Sequence, residues 1–202
     1  PQRMAAFRAQ HPGIVLRLAD VVSDRCLDMV SRGEVDFGLN AQPGNELEFE
    51  ARLLFDERLY VICPADDALA RQPQAQLRDL RHRPFVHTVR SGSVWQQMQP
   101  LLKRAQVRDS GLEVEQLGTL GGLVASGFGI SVVPQFALAL CQRPGVAAVP
   151  LAARKATRPI YLVRRRQRSL SAAARGFHDL LVKEARAMAK AVPDADGVSK
   201  DK

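Results

Sequence analysis

The stretch at residues 123–135, LVASGFGISVVPQ, constrains the fold of this chain more than any other. Its Gly-x-Gly invites comparison with a nucleotide-binding loop, but the elements come in the opposite order. In a dinucleotide fingerprint a strand runs into the glycines and a helix runs out, so that helix N–H groups face the phosphates. Here Leu120, Leu123 and Val124 recur at helical spacing before the glycines, and Ile130-Ser131-Val132-Val133, closed by Pro134, reads as a buried strand after them. The glycines therefore lie at a helix C-terminus, where carbonyls point outward and the dipole is negative. Gly127 is expected to end the helix in the left-handed conformation, and Gly129 to let the chain turn tightly into the strand. The segment reads as a helix-to-strand joint rather than a phosphate site.

Strands and helices alternate along the rest of the chain. Residues 3–10 read as a helix with Met4 and Phe7 on one face, and residues 14–18 as a strand. Ser23 or Asp24 can cap a helix that faces Cys26, Leu27, Met29 and Val30 inward and stops at Gly33. Residues 35–39 read as a strand covered on both faces, residues 51–55 and 58–63 as two more strands, and residues 64–67 as a turn. A short helix is expected at residues 77–80 and a strand at 85–89. The next helix carries Val94, Trp95, Met98, Leu101 and Leu102, with Pro100 set to kink or divide it. Residues 112–115 read as a half-exposed strand, 135–141 as a short helix, and 146–149 and 160–163 as strands. Ser171 caps a last long helix that buries Phe177, Leu180, Leu181, Ala185 and Met188.

This alternation predicts an α/β chain with parallel sheets. No strand follows the last helix, so that helix must pack on the sheet of the early strands. The middle of the chain then forms an inserted second lobe. Lobe I is expected at residues 1–63 plus 159–191 and lobe II at 64–158, with the hinge at Cys63, Pro64, Arg158 and Pro159 and a frayed tail at 192–202.

Composition narrows the chemistry. A chain of 202 residues with 46% hydrophobic and 25% charged residues can bury a sizeable core. It has no apolar run of membrane-spanning length. Three widely separated cysteines, Cys26, Cys63 and Cys141, argue against a disulfide framework and for a reducing compartment. Four histidines, His11, His82, His87 and His178, have no metal-ligand spacing, and no metal or cofactor is expected. The net charge of +8 raises the question of nucleic acid, but 5% aromatic residues leave no stacking platform for single strands. The one dense basic run, Arg164-Arg165-Arg166-Gln167-Arg168, reads as a solvated strand end and loop. Asp66-Asp67 reads as a solvated turn, and a lone strand histidine such as His87 as a hydrogen-bonded one. Hydrolase, metalloprotease, Walker and Cys-x-x-Cys motifs are all absent, so no catalytic residue is assigned and the chain is not expected to be an enzyme.

One constellation carries binding chemistry. HTVRSGSVW, residues 87–95, places Arg90, Ser91, Gly92 and Ser93 between a strand end and a helix start. Free N–H groups, hydroxyls and a guanidinium meeting there suit a carboxylate or another small anion. The same residues also fit an ordinary serine cap beside an exposed arginine.

Five segments in order resemble the effector-binding domain of LysR-type transcriptional regulators: MAAFRAQHPGIVLRL, LDMVSRGEVDFGL, LYVICPADDALA, LVASGFGISVVP and IYLVRRRQRSLSAAARGFHDLL. The resemblance runs from Pro1 to about Ala191. It implies a periplasmic-binding-protein-like type II fold, with two Rossmann-like lobes joined by two crossover strands and an effector cleft between them. It implies a cytoplasmic homodimer or homotetramer that responds to a small molecule. Promoter DNA would be reached only through an N-terminal helix-turn-helix that this sequence does not contain, and RNA polymerase is a further implied partner. The family's first strand and its Ser/Thr loop precede the first helix, where this sequence begins, so one side of the expected site stays unassigned. With that fold, Thr119 joins Arg90, Ser91, Gly92 and Ser93 on lobe II, and Ser23 and Asn40 are the expected contacts from lobe I. Arg90 is the expected carboxylate partner. A solute-binding protein of a transport system is the alternative with the same fold.

Overall fold

The structure is a computed structural model that describes residues 1–90, 92–152 and 156–191, without the side chains of 188–191. The chain divides into two compact units, Pro1–Phe55 with the residues from Tyr161 onward, and Asp56–Ile160. Two long strands, β2 (Phe49–Pro64) and β7 (Thr157–Arg165), each run from one unit into the other.

The first unit holds α1 (Gln2–Gln10), α2 (Ser23–Arg32), β1 (Gly38–Asn40) and α6 (Ala172–Ala191). β1 pairs antiparallel with β7, Gly38 opposite Val163. Phe7 of α1 is buried against Phe177 of α6, ring centroids 5.0 Å apart, and Phe177 in turn meets Phe37. The last helix thus packs on the early elements through aromatic contacts worth about 1 kcal/mol each beyond their buried area. Its start is fixed by Ser171, whose hydroxyl accepts from the Ala174 N–H at 3.1 Å. Along α6 Phe177, Leu180 and Leu181 are half-buried and Ala185 is buried, while Met188 lies outside the described side chains.

Two expectations fail in this unit. Residues 14–18 form no strand: they pair with nothing in a sheet, and Val15 is 82% exposed. A strand is defined by its hydrogen-bonded neighbour, and no described segment offers one here. Residues 35–39 shrink to the three residues of β1, because the chain is still bending away from the helix stop at Gly33 through Asp36. Leu39 is half-exposed, so β1 is not covered on both faces.

The second unit adds β3 (Pro84–Thr88), α3 (Ser93–Arg104), β4 (Arg108–Val114), α4 (Leu117–Ala125), β5 (Ser131–Pro134), α5 (Leu138–Cys141) and β6 (Val146–Pro150). The short helices at Ala68–Arg71, Leu77–Leu80 and Gln135–Ala137 are 3₁₀ turns. β3 and β4 pair in parallel, while β2 pairs antiparallel with both β5 and β6. The sheets are therefore mixed rather than parallel: β2 enters the unit from outside it, and no βαβ crossover sets its direction. Two cores fill the unit, one around Leu59, Leu69, Phe85, Met98 and Val132, the other around Ile62, Val86, Leu120, Val124 and Val133.

The expected strands at 51–55 and 58–63 are one strand, and the unit division falls inside it, ahead of Cys63 and Pro64. Cys63 is fully buried and opposite Ala147, deep in the second unit's sheet. Asp56 and Glu57 interrupt the apolar pattern without interrupting the backbone. Pro100 likewise leaves α3 undivided, on its exposed side. Asp67 is not merely solvated: its carboxylate accepts from the Leu69 N–H at 2.8 Å and pairs with Arg83.

The helix-to-strand joint forms as expected. Gly127 has φ 78°, its N–H bonds to Val124 O, and the Phe128 N–H bonds to Leu123 O, the paired bonds of a Schellman stop. Gly129 has φ 151° and comes so close to β3 that an added Cβ would lie 2.3 Å from Pro84 O. That approach allows the Ile130 N–H to bond Pro84 O at 2.8 Å and seats β5 beside β3.

Candidate functional site

The site is built where β3 hands over to α3. Phe85, Val86 and His87 bury β3 in the second unit, and α4 packs against both β3 and β4. The Gly92 N–H turns back to Val89 O at 2.9 Å, and α3 begins at Ser93 with Gly92 as its N-cap. Among the described residues no side chain caps this end and no acid lies in its first turn. Leading N–H groups and the positive end of a helix dipole are chemically suited to an anion.

Ser93 does not cap its own helix. Its hydroxyl accepts from Arg158 Nε at 2.9 Å. Arg158 Nη1 lies 3.1 Å from Glu57 Oε2, and Glu57 Oε1 accepts from the Phe136 N–H at 2.8 Å. The Glu57 side chain is 2% exposed and that of Arg158 25% exposed. A buried carboxylate therefore anchors the arginine, and the arginine orients the serine. Arg158, expected at a hinge, is part of the site's framework, next to Pro159 on β7.

Arg90 is exposed, but its guanidinium is already engaged. Its Nε lies 3.0 Å from Glu113 Oε2 and its Nη2 3.3 Å from Asp109 Oδ2, both on β4. Its guanidinium carbon sits 5.3 Å from the centre of the Trp95 ring. Two carboxylates and an aromatic face hold it in place and offset its charge. Ser91 lies outside the described residues.

Beneath Arg90, His87 is buried, with its ring edge-on to Trp95 at 4.7 Å and tilted against Phe85. Asp109 Oδ1 is 3.1 Å from Nε2, yet neither ring nitrogen makes a well-aligned hydrogen bond. The carboxylate acts there as a nearby charge. Burial pushes the His87 pKa below the ordinary histidine value, with Asp109 pulling the other way. Asp109 itself is held below the usual carboxylate range, first by the Gly111 N–H it accepts from.

Thr119 is exposed at the third position of α4, another helix start with neither a side-chain cap nor an acid in its first turn. In the first unit, Ser23 and Asn40 come together: the Asn40 amide donates to Ser23 O at 3.4 Å, and its oxygen accepts from the Ala41 N–H at 3.0 Å. Asn40 is 3% exposed, so it braces the start of α2 more than it reaches outward.

Sequence reading missed Glu57, Asp109, Glu113 and the Arg90–Trp95 stack. Glu57 sat in the polar gap between two apolar runs, where a turn is the natural reading. A lone charge inside an otherwise unbroken strand would have been the signal.

The LysR substrate binding domain, as a family model, matches residues 1–186. The chain belongs to this family. Over 192 residues the domain is 31% identical to the uncharacterized HTH-type transcriptional regulator YfeR of Shigella flexneri, covering 90% of this chain and 59% of that protein. It is 30% identical to the RuBisCO operon transcriptional regulator of Allochromatium vinosum, over 93% of this chain and 63% of that one. The domain thus spans about three fifths of each relative's length. It superposes on the Synechocystis PCC6803 CcmR regulatory domain in complex with 2-PG with a TM-score of 0.80, at 22% identity, over 93% of this chain and 91% of that one. These matches set the fold as that of the LysR regulatory domains and do not favour the transport-protein alternative. No helix among the described residues is long and apolar enough to cross a membrane.

Proposed function

We propose that this domain senses a small anion for a longer transcriptional regulator, acting through a bound effector rather than through catalysis. The observation that carries this reading is the open start of α3, with Ser93 held toward Arg158 and no acid of its own in the first turn. A carboxylate or phosphate ester bound there would accept from the free N–H groups and from Ser93 or Arg158. Gly92, which leaves room for close approach, Ser91, Arg90 and Thr119 are the other proposed contacts of the second unit. Ser23 and Asn40 are the proposed contacts of the first. Effector binding would act on a cytoplasmic homodimer or homotetramer whose DNA contacts come from a helix-turn-helix outside this chain, with RNA polymerase as a further partner. The capture of 2-PG by the CcmR regulatory domain supports a small-molecule effector.

The test begins with a thermal-shift panel of small carboxylates and phosphate esters, because a ligand selective for the native state raises apparent stability. Calorimetry with the strongest hit then compares the parent with Ser93→Ala, Thr119→Ala and Arg158→Lys. Loss of a charge-assisted contact should weaken binding about tenfold to hundredfold. Undiminished affinity in all three folded variants would discard the assignment.

A further inference from the structure

The basic run at residues 164–168 is the exposed strand end and loop that its sequence suggests, yet several of its side chains are tied to neighbouring groups. Arg166 donates from Nε to Glu46 O at 3.0 Å and from Nη2 to Phe49 O at 3.4 Å. Arg168 donates to Gly33 O at 2.8 Å, and Arg164 donates to Arg168 O at 3.4 Å while pairing with Glu50. Backbone carbonyls satisfy N–H donors without cancelling the charge. Most of this cluster is thus held rigidly and left electrically positive.

These arginines line an open groove of about 560 Å³ in the first unit, together with Arg175 of α6 and Ser169. The Arg175 side chain forms no hydrogen bond or ion pair among the described residues, its backbone N–H being bonded to Ser171 O. Two carboxylates also reach the groove. Glu50 is already paired with Arg164, and Asp179 sits 3.0 Å from His178 Nδ1. Four guanidiniums against two engaged carboxylates leave a net positive concavity, and its walls already spend part of their donors on fixing its shape.

We propose that this groove is a second ligand site, distinct from the start of α3, which takes the polyphosphate group of a small molecule. A single carboxylate would leave most of the positive charge unanswered. A diphosphate or triphosphate presents several oxygens to the remaining fork donors of Arg164, Arg166, Arg168 and Arg175. The groove's volume and concavity suit a small molecule. A duplex backbone would instead need cations spread along a strip, whereas here they converge.

Sodium triphosphate is the probe, titrated calorimetrically into the full chain at fixed ionic strength, beside sodium sulfate and a short DNA duplex. Triphosphate should bind more tightly than sulfate. Arg175→Glu should weaken it at least tenfold and leave the urea midpoint unchanged, since Arg175 holds nothing else in place. Arg166→Gln provides a second variant, read for affinity after its fold is checked by circular dichroism. The proposal is overturned if triphosphate gives no binding, if sulfate binds as well, if Arg175→Glu binds like the parent, or if the duplex binds and triphosphate does not displace it.

Discussion

Arg158 Nε donates to the Ser93 hydroxyl at 2.9 Å while its Nη1 faces the buried Glu57 carboxylate at 3.1 Å. The serine at the mouth of α3 therefore depends on a carboxylate buried beneath it. Arg158→Ala leaves Glu57 with only the Phe136 N–H among the described residues. Removing one member of a buried pair costs about 3–5 kcal/mol, and the partial exposure of Arg158 lowers that to about 2–3 kcal/mol. Urea denaturation should show this loss. The double variant Glu57→Gln/Arg158→Ala should recover part of it, because no buried charge is then stranded. Additive losses would show that the pair does not act as a unit.

The helix-to-strand joint at Gly127 and Gly129 gives a graded pair. Gly127→Ala meets open space but keeps a left-handed backbone, so it should cost about 1–2 kcal/mol. Gly129→Ala also drives its Cβ into Pro84 O, 2.3 Å away, and should cost about 3 kcal/mol or more. Equal urea midpoints for the two variants would contradict the close approach of this segment to β3.

His87 predicts a direction in pH. Its pKa is lowered in the folded state from the ordinary value of 6.5. Above 6.5 both states are neutral and the full stability is present. As pH falls below 6.5 the unfolded chain takes up the proton first, so stability declines. Asp109, also lowered, adds a separate loss below its ordinary value of 3.8, as the folded carboxylate is finally protonated. His87→Gln should flatten the upper decline and keep the lower one. An unchanged slope between pH 6.5 and 5 in that variant would remove His87 as its source.

How much of this could be read in advance depended on whether the signal was local. The Schellman stop, the Ser171 cap and the α1 helix with Phe7 on its buried face are written in neighbouring residues, and each formed. The single strand through Asp56 and Glu57 was hidden, because the partners that satisfy Glu57 are Phe136 and Arg158, far along the chain. Arg90 shows the same limit. The sequence placed it correctly between a strand and a helix, but its engagement by Asp109 and Glu113 comes from the parallel pairing of β3 with β4, which no local pattern announces.

Trp95 makes the α3 site observable. It is the chain's single tryptophan, two residues after Ser93, edge-on to His87 at 4.7 Å and 5.3 Å from the Arg90 guanidinium. Its emission should therefore report on the start of α3 and on little else. An anion that settles on Gly92 and Ser93 should alter that emission at the same concentrations that raise thermal stability. Arg90→Ala removes the cation from its face and should change the ligand-free spectrum, while reducing effector affinity less than Ser93→Ala, since Arg90 is already committed to two carboxylates. Fluorescence titration beside calorimetry checks both points. The titration is repeated in Arg175→Glu to remove binding at the arginine groove; if every ligand that still stabilises that variant leaves Trp95 emission and its acrylamide quenching untouched, the start of α3 loses its place as the effector site.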